Sequence, residues 1–479
     1  MASPSYDAVI VGAGPNGLAA AVELARHGLG VLVVEARETV GGGLRSAELT
    51  RPGFVHDVCS AIHPMGIGSP CFSRWPLEDF GLEWMHPEVP LAHPLDGGRA
   101  AVQRRSVAET ADGLGADGQA WRRLFGPLAE RWDDLAEDVL RPVLRPPRHP
   151  LTLARFGLPA LLPASLLAQV AFRGEPARAL FAGIAAHTMV PLTAAATSAV
   201  ALLLGTAAHA VGWPTPRGGA GRLADALAAY LRSLGGEIRT GWPVASLDEL
   251  PPSRAVICDL TPKPFLAVAG HRLPQRYRRR LAAYRYGAGV FKVDYALGAP
   301  VPWLHPDCAR AGTVHVGGSL DEIAAGEQAA FRGEVPERPF VLVAQQSLFD
   351  PTRAPRRQHT LWAYCHVPRG FRGDHTAAIE AQIERFAPGF GERVLERHVA
   401  GPADVERDNP NMVGGDIGGG IQDLRQVIAR PVARPTPYRT PVAGLYLCSA
   451  ATPPGAGIHG MGGWHAARAA LADRFGGAG

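Results

Sequence analysis

At 479 residues, 47% of them hydrophobic and with 57 glycines and 43 prolines spread throughout, the chain is long enough for two or three domains with large cores and reads as globular. A net charge of +4 is small for this length, and the one tight basic run, Arg276, Arg278, Arg279 and Arg280, reads as a solvated helix face, which excludes the basic footprint of a nucleic-acid binder. Six cysteines without a Cys-x-x-Cys pair exclude a disulfide scaffold or a zinc site, and a strand expected almost at the first residue leaves no room for a signal peptide, so the expected compartment is the cytoplasm.

Tyr6-Asp-Ala-Val-Ile-Val11 reads as a buried parallel strand, Gly12-Ala13-Gly14-Pro15-Asn16-Gly17 as a glycine turn into a helix, and Val31-Leu-Val-Val-Glu35 as a second strand ending on an acid. In this frame Gly12 allows the tight turn, Gly14 lets backbone approach a pyrophosphate, and Gly17 lets the helix pack on the strand. Phosphate sits on the N–H groups of the helix start, and Glu35 can accept both ribose hydroxyls of an adenosine. The continuation Ala36-Arg37-Glu-Thr-Val-Gly41-Gly42-Gly43-Leu44-Arg45 adds a second glycine cluster that a nicotinamide cofactor does not need. It suits FAD: the glycines let the chain pass close to the phosphates and the flavin, and Arg45 can pair with pyrophosphate oxygens.

Strand-like pieces over residues 49–64, punctuated by Pro52, Gly53 and Pro64, could bring His56 or His63 beside a bound ring. Residues 105–140 carry an apolar stripe, Trp121, Leu124, Phe125, Leu128, Trp132, Leu135 and Val139, at helical spacing, and the proline cluster 142–150 then marks a linker or domain edge. Residues 178–217 are the least charged stretch. Polar residues interrupt them before they reach the length of a membrane span, so they are expected as buried helices walling an apolar pocket, with a dip into a membrane surface as the alternative.

A helix started by Gly218-Gly-Ala-Gly-Arg-Leu-Ala-Asp225 and running to Leu234, a strand from Glu237 ending near Val244, and a strand ending at Asp259 restore the parallel pattern, as if the chain had re-entered the nucleotide domain after an excursion. Residues 285–400 alternate strands with turns and one helix, as an antiparallel sheet with helices on one face does. The strand at 444–449 then meets a glycine-rich turn, residues 450–463, and a helix over 464–475. A helix N-terminus aimed at a flavin stabilises negative charge that builds on its reduction.

The stretches Val9 to Gly17, Glu35 to Gly42, Ser60-Ala61-Ile62-His63-Pro64, Gly212-Trp-Pro-Thr-Pro-Arg-Gly-Gly219, Gly289 to Asp294, Asn409-Pro-Asn-Met-Val-Gly-Gly-Asp416, and Leu445 to Gly460 together resemble the phytoene desaturase-like flavoprotein oxidoreductases, in particular the pyridine-nucleotide-disulfide-oxidoreductase-domain-2-like branch. The resemblance implies FAD as cofactor and an α/β fold: a discontinuous Rossmann-type FAD-binding domain (residues 1–75, 211–265 and 405–479) and an α+β substrate domain with an antiparallel sheet and helices (76–210 and 266–404). Cofactor contacts are expected at residues 12–17, at Glu35, Ala36 and Arg37, and at Gly42, Gly43, Leu44 and Arg45. Ala61, Ile62 and His63, then Val244 and Asp259, continue the set, and Ser449, Ala450, Ile458, His459 and Met461 complete it. In this chain the arginine follows the glycines two positions later than the common Gly-Gly-Arg, and Ser449-Ala450 stands where Gly-Asp is common, which leaves backbone contacts to hold that end.

No Ser/His/Asp order, metal cluster or paired carboxylate stands out, so the cofactor carries the hard chemistry. The first expectation is a hydride moved from a C–H of an apolar small molecule to flavin N5, with His459 or His63 as proton acceptor and Lys292 as an inward-facing flavin-site residue. Amine oxidation is the alternative, with Trp464 and Tyr446 as aromatic flankers of an amine. A non-catalytic flavin-bearing interaction protein is the third. No second strand, glycine turn, helix and acid unit exists for a nicotinamide, so oxygen or a quinone is the expected electron acceptor.

Overall fold

The computed structural model describes residues 6–476. Its first sheet is parallel throughout, in the order Leu445–Leu447, Ser253–Cys258, Tyr6–Val11, Val31–Val34, Glu237–Arg239. These strands are apolar runs because both faces are covered: Ala8, Val9, Ile10, Leu32 and Val33 are fully buried. Helices Pro15–Ala25, Gly221–Ser233 and Met461–Arg474 close one face; Phe265, Leu273 and Tyr277 close the other. The strand expected to run to Val244 stops at Arg239. Beyond it, Gly241 and Trp242 still donate to the carbonyls of Arg37 and Glu35, but Gly241 is left-handed (φ +67°) and Pro243 has no N–H, so regular pairing ends and Val244 packs half-buried against the core.

The second sheet has seven strands in the order Val394–Ala400, Gly289–Leu297, His359–Val367, Val341–Ala344, Ala311–Val316, Val89–Leu95, Arg99–Gln103. All neighbours are antiparallel except Ala311–Val316 with Val89–Leu95. The two strands at 89–103 escape the sequence pattern, because Pro90 and Pro94 demote a run whose seven residues are nonetheless all buried.

A helical layer covers this sheet. The stretch 105–140 divides into Val107–Gly113, Gly118–Ala129 and Trp132–Val139, and its stripe faces inward, with Trp121, Phe125, Leu128 and Leu135 fully buried. Gly205 in Ser198–Ala210 lets that helix cross on Phe125, since a Cβ there would lie 2.6 Å from the ring, and Trp121 donates to His209 Nε2 at 3.0 Å. The apolar stretch around 194–205 is therefore interior wall. The outward-facing apolar side chains sit instead on the preceding helices, Pro150–Ala160 and Ala164–Ala171. Among the described residues no helix is long and apolar enough to cross a membrane.

The two sheets meet at Asp57, a fully buried carboxylate at the end of the short strand Val55–Asp57. It accepts from Arg353 Nη2 at 2.5 Å, Gln346 Nε2 at 3.2 Å, Ser46 Oγ at 2.8 Å and the Ala220 N–H at 2.7 Å. Those donors come from both lobes.

Candidate active site

The nucleotide end is built on the turn after Val11. Gly12 is left-handed (φ +99°), and a Cβ on Gly17 would lie 2.0 Å from the Gly12 carbonyl, so both glycines are required by the turn itself. Gly14 has a further reason beside the approach of a pyrophosphate: a Cβ there would lie 2.6 Å from Asp259 Oδ2, so its bareness makes room for that carboxylate. Asp259 Oδ2 in turn accepts the Gly17 N–H at 2.9 Å, at the start of Pro15–Ala25, where the helix dipole favours an anion. Burial, with the Glu35 charge adding to it, pushes the Asp259 carboxyl up to about 7. Glu35 is held by the N–H groups of Ala13 (2.8 Å) and Arg37 (2.9 Å), one on each oxygen.

FAD fits these residues. Each Glu35 oxygen keeps a lone pair beyond its backbone bond, the helix start at Gly14 carries no side-chain cap, and Gly42 passes so close to Gly14 that a Cβ would lie 3.1 Å from its Cα. Pro15 and Asn16 open the helix beside Gly14, Ala36 follows Glu35, and the Arg37 guanidinium reaches the Asp408 carbonyl at 2.9 Å. Arg45 behaves as a strap: its guanidinium donates to the Gly42 carbonyl (3.1 Å), to the Asp408 carbonyl (3.0 Å) and to the Asp408 carboxylate (2.6 Å). Leu44 is core.

From Gly43 the chain opens on a cavity of 860 Å³, within the size range of small-molecule sites. It brings together residues far apart in sequence: Gly43, Ala61, Ile62 and His63 from the first part of the chain, Met412, Gly418 and Gln422 from the returning segment, and Gly457 and Ile458 from the glycine-rich turn. Leu203 and Leu204 form a wall, as expected of the stretch 178–217, and the sheet contributes Trp362 and Tyr364, whose rings stand edge to face at 4.8 Å and 76°. His187 also faces the cavity. Its Nε2 lies 3.1 Å from His315 Nε2, and burial lowers its pKa to about 3.

His63 stands in the cavity wall with Nε2 3.2 Å from Ser60 Oγ and with Nδ1 buried and without a protein partner. Burial outweighs Asp57 and lowers its pKa to about 4, so the ring is neutral near pH 7. The other two catalytic expectations meet different surroundings. His459 does not line the cavity; its Nδ1 accepts the Met461 N–H at 3.1 Å and so caps Met461–Arg474, while its carbonyl accepts from Ser69 Oγ at 2.6 Å. Lys292 is engaged by the fully buried Asp294 and stands 5.9 Å from the Trp362 ring; it pairs across the strands with Tyr364, on the sheet face that Tyr364 and Trp362 turn to the cavity, without itself being part of the lining. Burial works upward on Asp294, but Lys292, His398 and His56 together outweigh it and hold the carboxyl below its ordinary value. The aromatic flankers also change. Trp464 lies under Arg468 in a separate cleft, and the Tyr446 hydroxyl contacts Asp473 at 3.1 Å, so Trp362 and Tyr364 occupy the place expected for them.

The glycines near the C-terminus have two jobs. Gly463 and Gly462 allow Met461–Arg474 to touch Pro15–Ala25: a Cβ on Gly463 would lie 1.7 Å from the Asn16 carbonyl, and Asn16 Oδ1 accepts the Gly463 N–H at 3.3 Å. Gly457, with Ile458, borders the cavity. Ser449 closes its own turn by accepting the Ala451 N–H, and Ala450 is overlain by Gly419, where a Cβ would lie 2.7 Å away. The segment 409–422, partly within the resemblance but outside the expected cofactor contacts, also joins the site. Asn411 reaches the Thr261 N–H and the Asp259 carbonyl, Met412 covers Gly43, and Gly418 reaches the cavity.

The sequence profile of the flavin containing amine oxidoreductases matches residues 16–263. The pyridine nucleotide-disulfide oxidoreductase domain-containing protein 2 of Rattus norvegicus is 28% identical, over 98% of this chain and 94% of its own length. A neurosporene-forming phytoene desaturase of Rhodobacter capsulatus is 28% identical over half of each chain. Among solved structures, wild-type putrescine oxidase bound to putrescine superposes with a TM-score of 0.61 at 19% identity, covering 99% of this chain and 100% of its own, a likeness of fold.

Proposed function

We propose that this chain, which belongs to the flavin containing amine oxidoreductases and is an FAD-dependent oxidoreductase, acts as a dehydrogenase on an apolar small molecule held in the 860 Å³ cavity. The observation that carries the reading is the composition of that cavity: leucine, valine, alanine and aromatic walls meet Gly43, His63 and Gly457 at one end. Bound FAD supplies a hydride acceptor at flavin N5. The chain's own residues do the rest. Trp362 and Tyr364 set the orientation of the substrate, Ile62 and Met412 exclude water, and the neutral imidazole of His63 in the cavity wall takes the proton released from the neighbouring carbon. Ser60 fixes the ring that receives it. The relative named as a phytoene desaturase supports this class of substrate. Oxygen or a quinone is the proposed electron acceptor.

Amine oxidation is the second reading, favoured by the edge-to-face pair of Trp362 and Tyr364, which offers aromatic faces to an ammonium. Two features weigh against it. Arg141 and Arg145 border the same cavity, and its one lining carboxylate, Asp138, already accepts the N–H groups of Arg148 (2.8 Å) and His149 (2.7 Å). The test is anaerobic mixing of the holoenzyme with apolar alkenes and polyenes on one side and amines on the other, following loss of oxidised-flavin absorbance. Reduction by the apolar set is expected; reduction by amines alone overturns the proposal in favour of amine oxidation, and no reduction by any compound leaves the interaction protein.

A further inference from the structure

Apolar side chains left in solvent are not scattered over this molecule. Of the thirteen large exposed ones among the described residues, eight fall within residues 143–170, led by Leu151 (86% exposed), Val170 (77%), Leu144 (75%) and Leu158 (73%). A concentration of this kind marks an interaction surface. It is carried by Pro150–Ala160 and Ala164–Ala171, two helices that meet at 98°, a bend that keeps either from entering a bilayer as a rod. Val143, Leu158, Leu161 and Ile428, all exposed, also line the 860 Å³ cavity, so its mouth opens inside the patch.

Along the patch's own stretch of chain the charge is of one sign. No acidic residue occurs between Asp138 and Glu175, whereas Arg141, Arg145, Arg148, Arg155 and Arg173 do. Arg141, Arg145 and Arg148 also line a second cleft, of 320 Å³, together with Arg74, Arg439 and Arg468. Glu137 is the one acidic residue in that lining and is engaged by Arg74 at 2.9 Å and Arg148 at 3.3 Å, while Arg439, Arg468 and Arg141 meet Asp473 (2.6 Å), Glu23 (3.6 Å) and Asp138 (3.6 Å) behind it. Arg145 makes no ion pair among the described residues and stands close enough to the buried Tyr438 and His465 to act on their charge.

We propose that the bent helix pair and the arginine loop 141–148 form a docking surface for an anionic lipid bilayer, the leucines entering the acyl boundary and the arginine cleft taking lipid phosphates. Charge selects this occupant. A second copy of the chain packed on the same face would set five arginines against five, while an anionic surface complements them. The docking stands independently of the substrate reading. If both hold, the cavity mouth faces the hydrocarbon phase in which an apolar substrate dissolves.

The test is co-sedimentation of the holoprotein with phosphatidylcholine vesicles, with and without phosphatidylglycerol, and needs no turnover. Binding is expected to the mixed vesicles and to be much weaker to the neutral ones. Leu144→Asp with Leu151→Asp, at positions outside the cavity lining, is expected to abolish it while flavin content and thermal melting stay as in the wild type. Arg145→Glu with Arg148→Glu is expected to weaken it by more than about tenfold, each basic residue near such a surface contributing about fivefold. The proposal is overturned by wild-type protein that stays in the supernatant, by equal binding to neutral vesicles, or by a leucine variant that sediments like the wild type. It is equally overturned by a concentration-dependent dimer that the leucine variant dissolves in the absence of vesicle binding.

Discussion

Asp259 places a titrating carboxyl at the helix start that receives an anion. Its pKa, 3.8 in an unconstrained chain, is about 7 in the folded one, so the native state holds the proton more tightly. That stabilisation is complete below about pH 4 and is lost as pH rises through 7, with a ceiling on the order of 4 kcal/mol. Thermal melts of the FAD-free protein at a series of pH values should show this decline, and Asp259→Asn should flatten it. FAD affinity should also fall above pH 7, by at most about tenfold per unit, because an ionised Asp259 meets the phosphates at one helix end; the asparagine variant should lose that dependence. For His63 the sign is opposite. With a pKa near 4 it is already the neutral base at pH 7, so the rate of flavin reduction should stay level down to about pH 5 and drop below 4. His63→Gln should slow it by about 10²-fold or more in single-turnover measurements. His459→Ala, by contrast, removes a helix cap and should cost about 1 kcal/mol in a thermal melt.

Among the elements, the junction of Pro15–Ala25 with Met461–Arg474 is the most exacting. Gly463→Ala would drive a methyl group to 1.7 Å from the Asn16 carbonyl, so the helices must separate. A loss of more than about 3 kcal/mol and a drop in bound FAD are expected, read by denaturation and flavin content of the purified variant. The first strand, turn, helix and acid were legible because each leaves a local mark: an apolar run, glycines at fixed offsets, a carboxylate at the strand end. The contact of Gly14 with Asp259 was not, since Asp259 is local only after folding. The strands at 89–103 were hidden by their prolines, and the cavity wall of Trp362 and Tyr364 by ordinary strand alternation, which puts two aromatics on one face without saying what that face meets. His459 and Lys292 show the same limit. Their types suit proton transfer, but the partner each has in the fold is not marked in the sequence: the Met461 N–H occupies His459 Nδ1 and leaves Nε2 without a protein partner, and Asp294 engages Lys292.

At the scale of the molecule the lobes are coupled through Asp57 and Arg353, both fully buried, with the Ala220 N–H and Ser46 on the same carboxylate. Arg353→Leu leaves that charge without its main partner. Unfolding free energy should fall by about 3–5 kcal/mol, with both lobes melting earlier, and Asp57→Asn together with Arg353→Leu should recover part of the loss. A melt in which only one lobe shifts would show that the pair does not couple them. The contact between Asn16 and Gly463 spans 447 residues of chain. At ordinary rates of translation, roughly 20 to 90 s separate the synthesis of its two halves. Throughout that interval the first helix has no partner on the face that Met461–Arg474 will cover, so the nascent chain carries an unfinished apolar surface, and the cofactor site is completed only after nearly the whole polypeptide has been made.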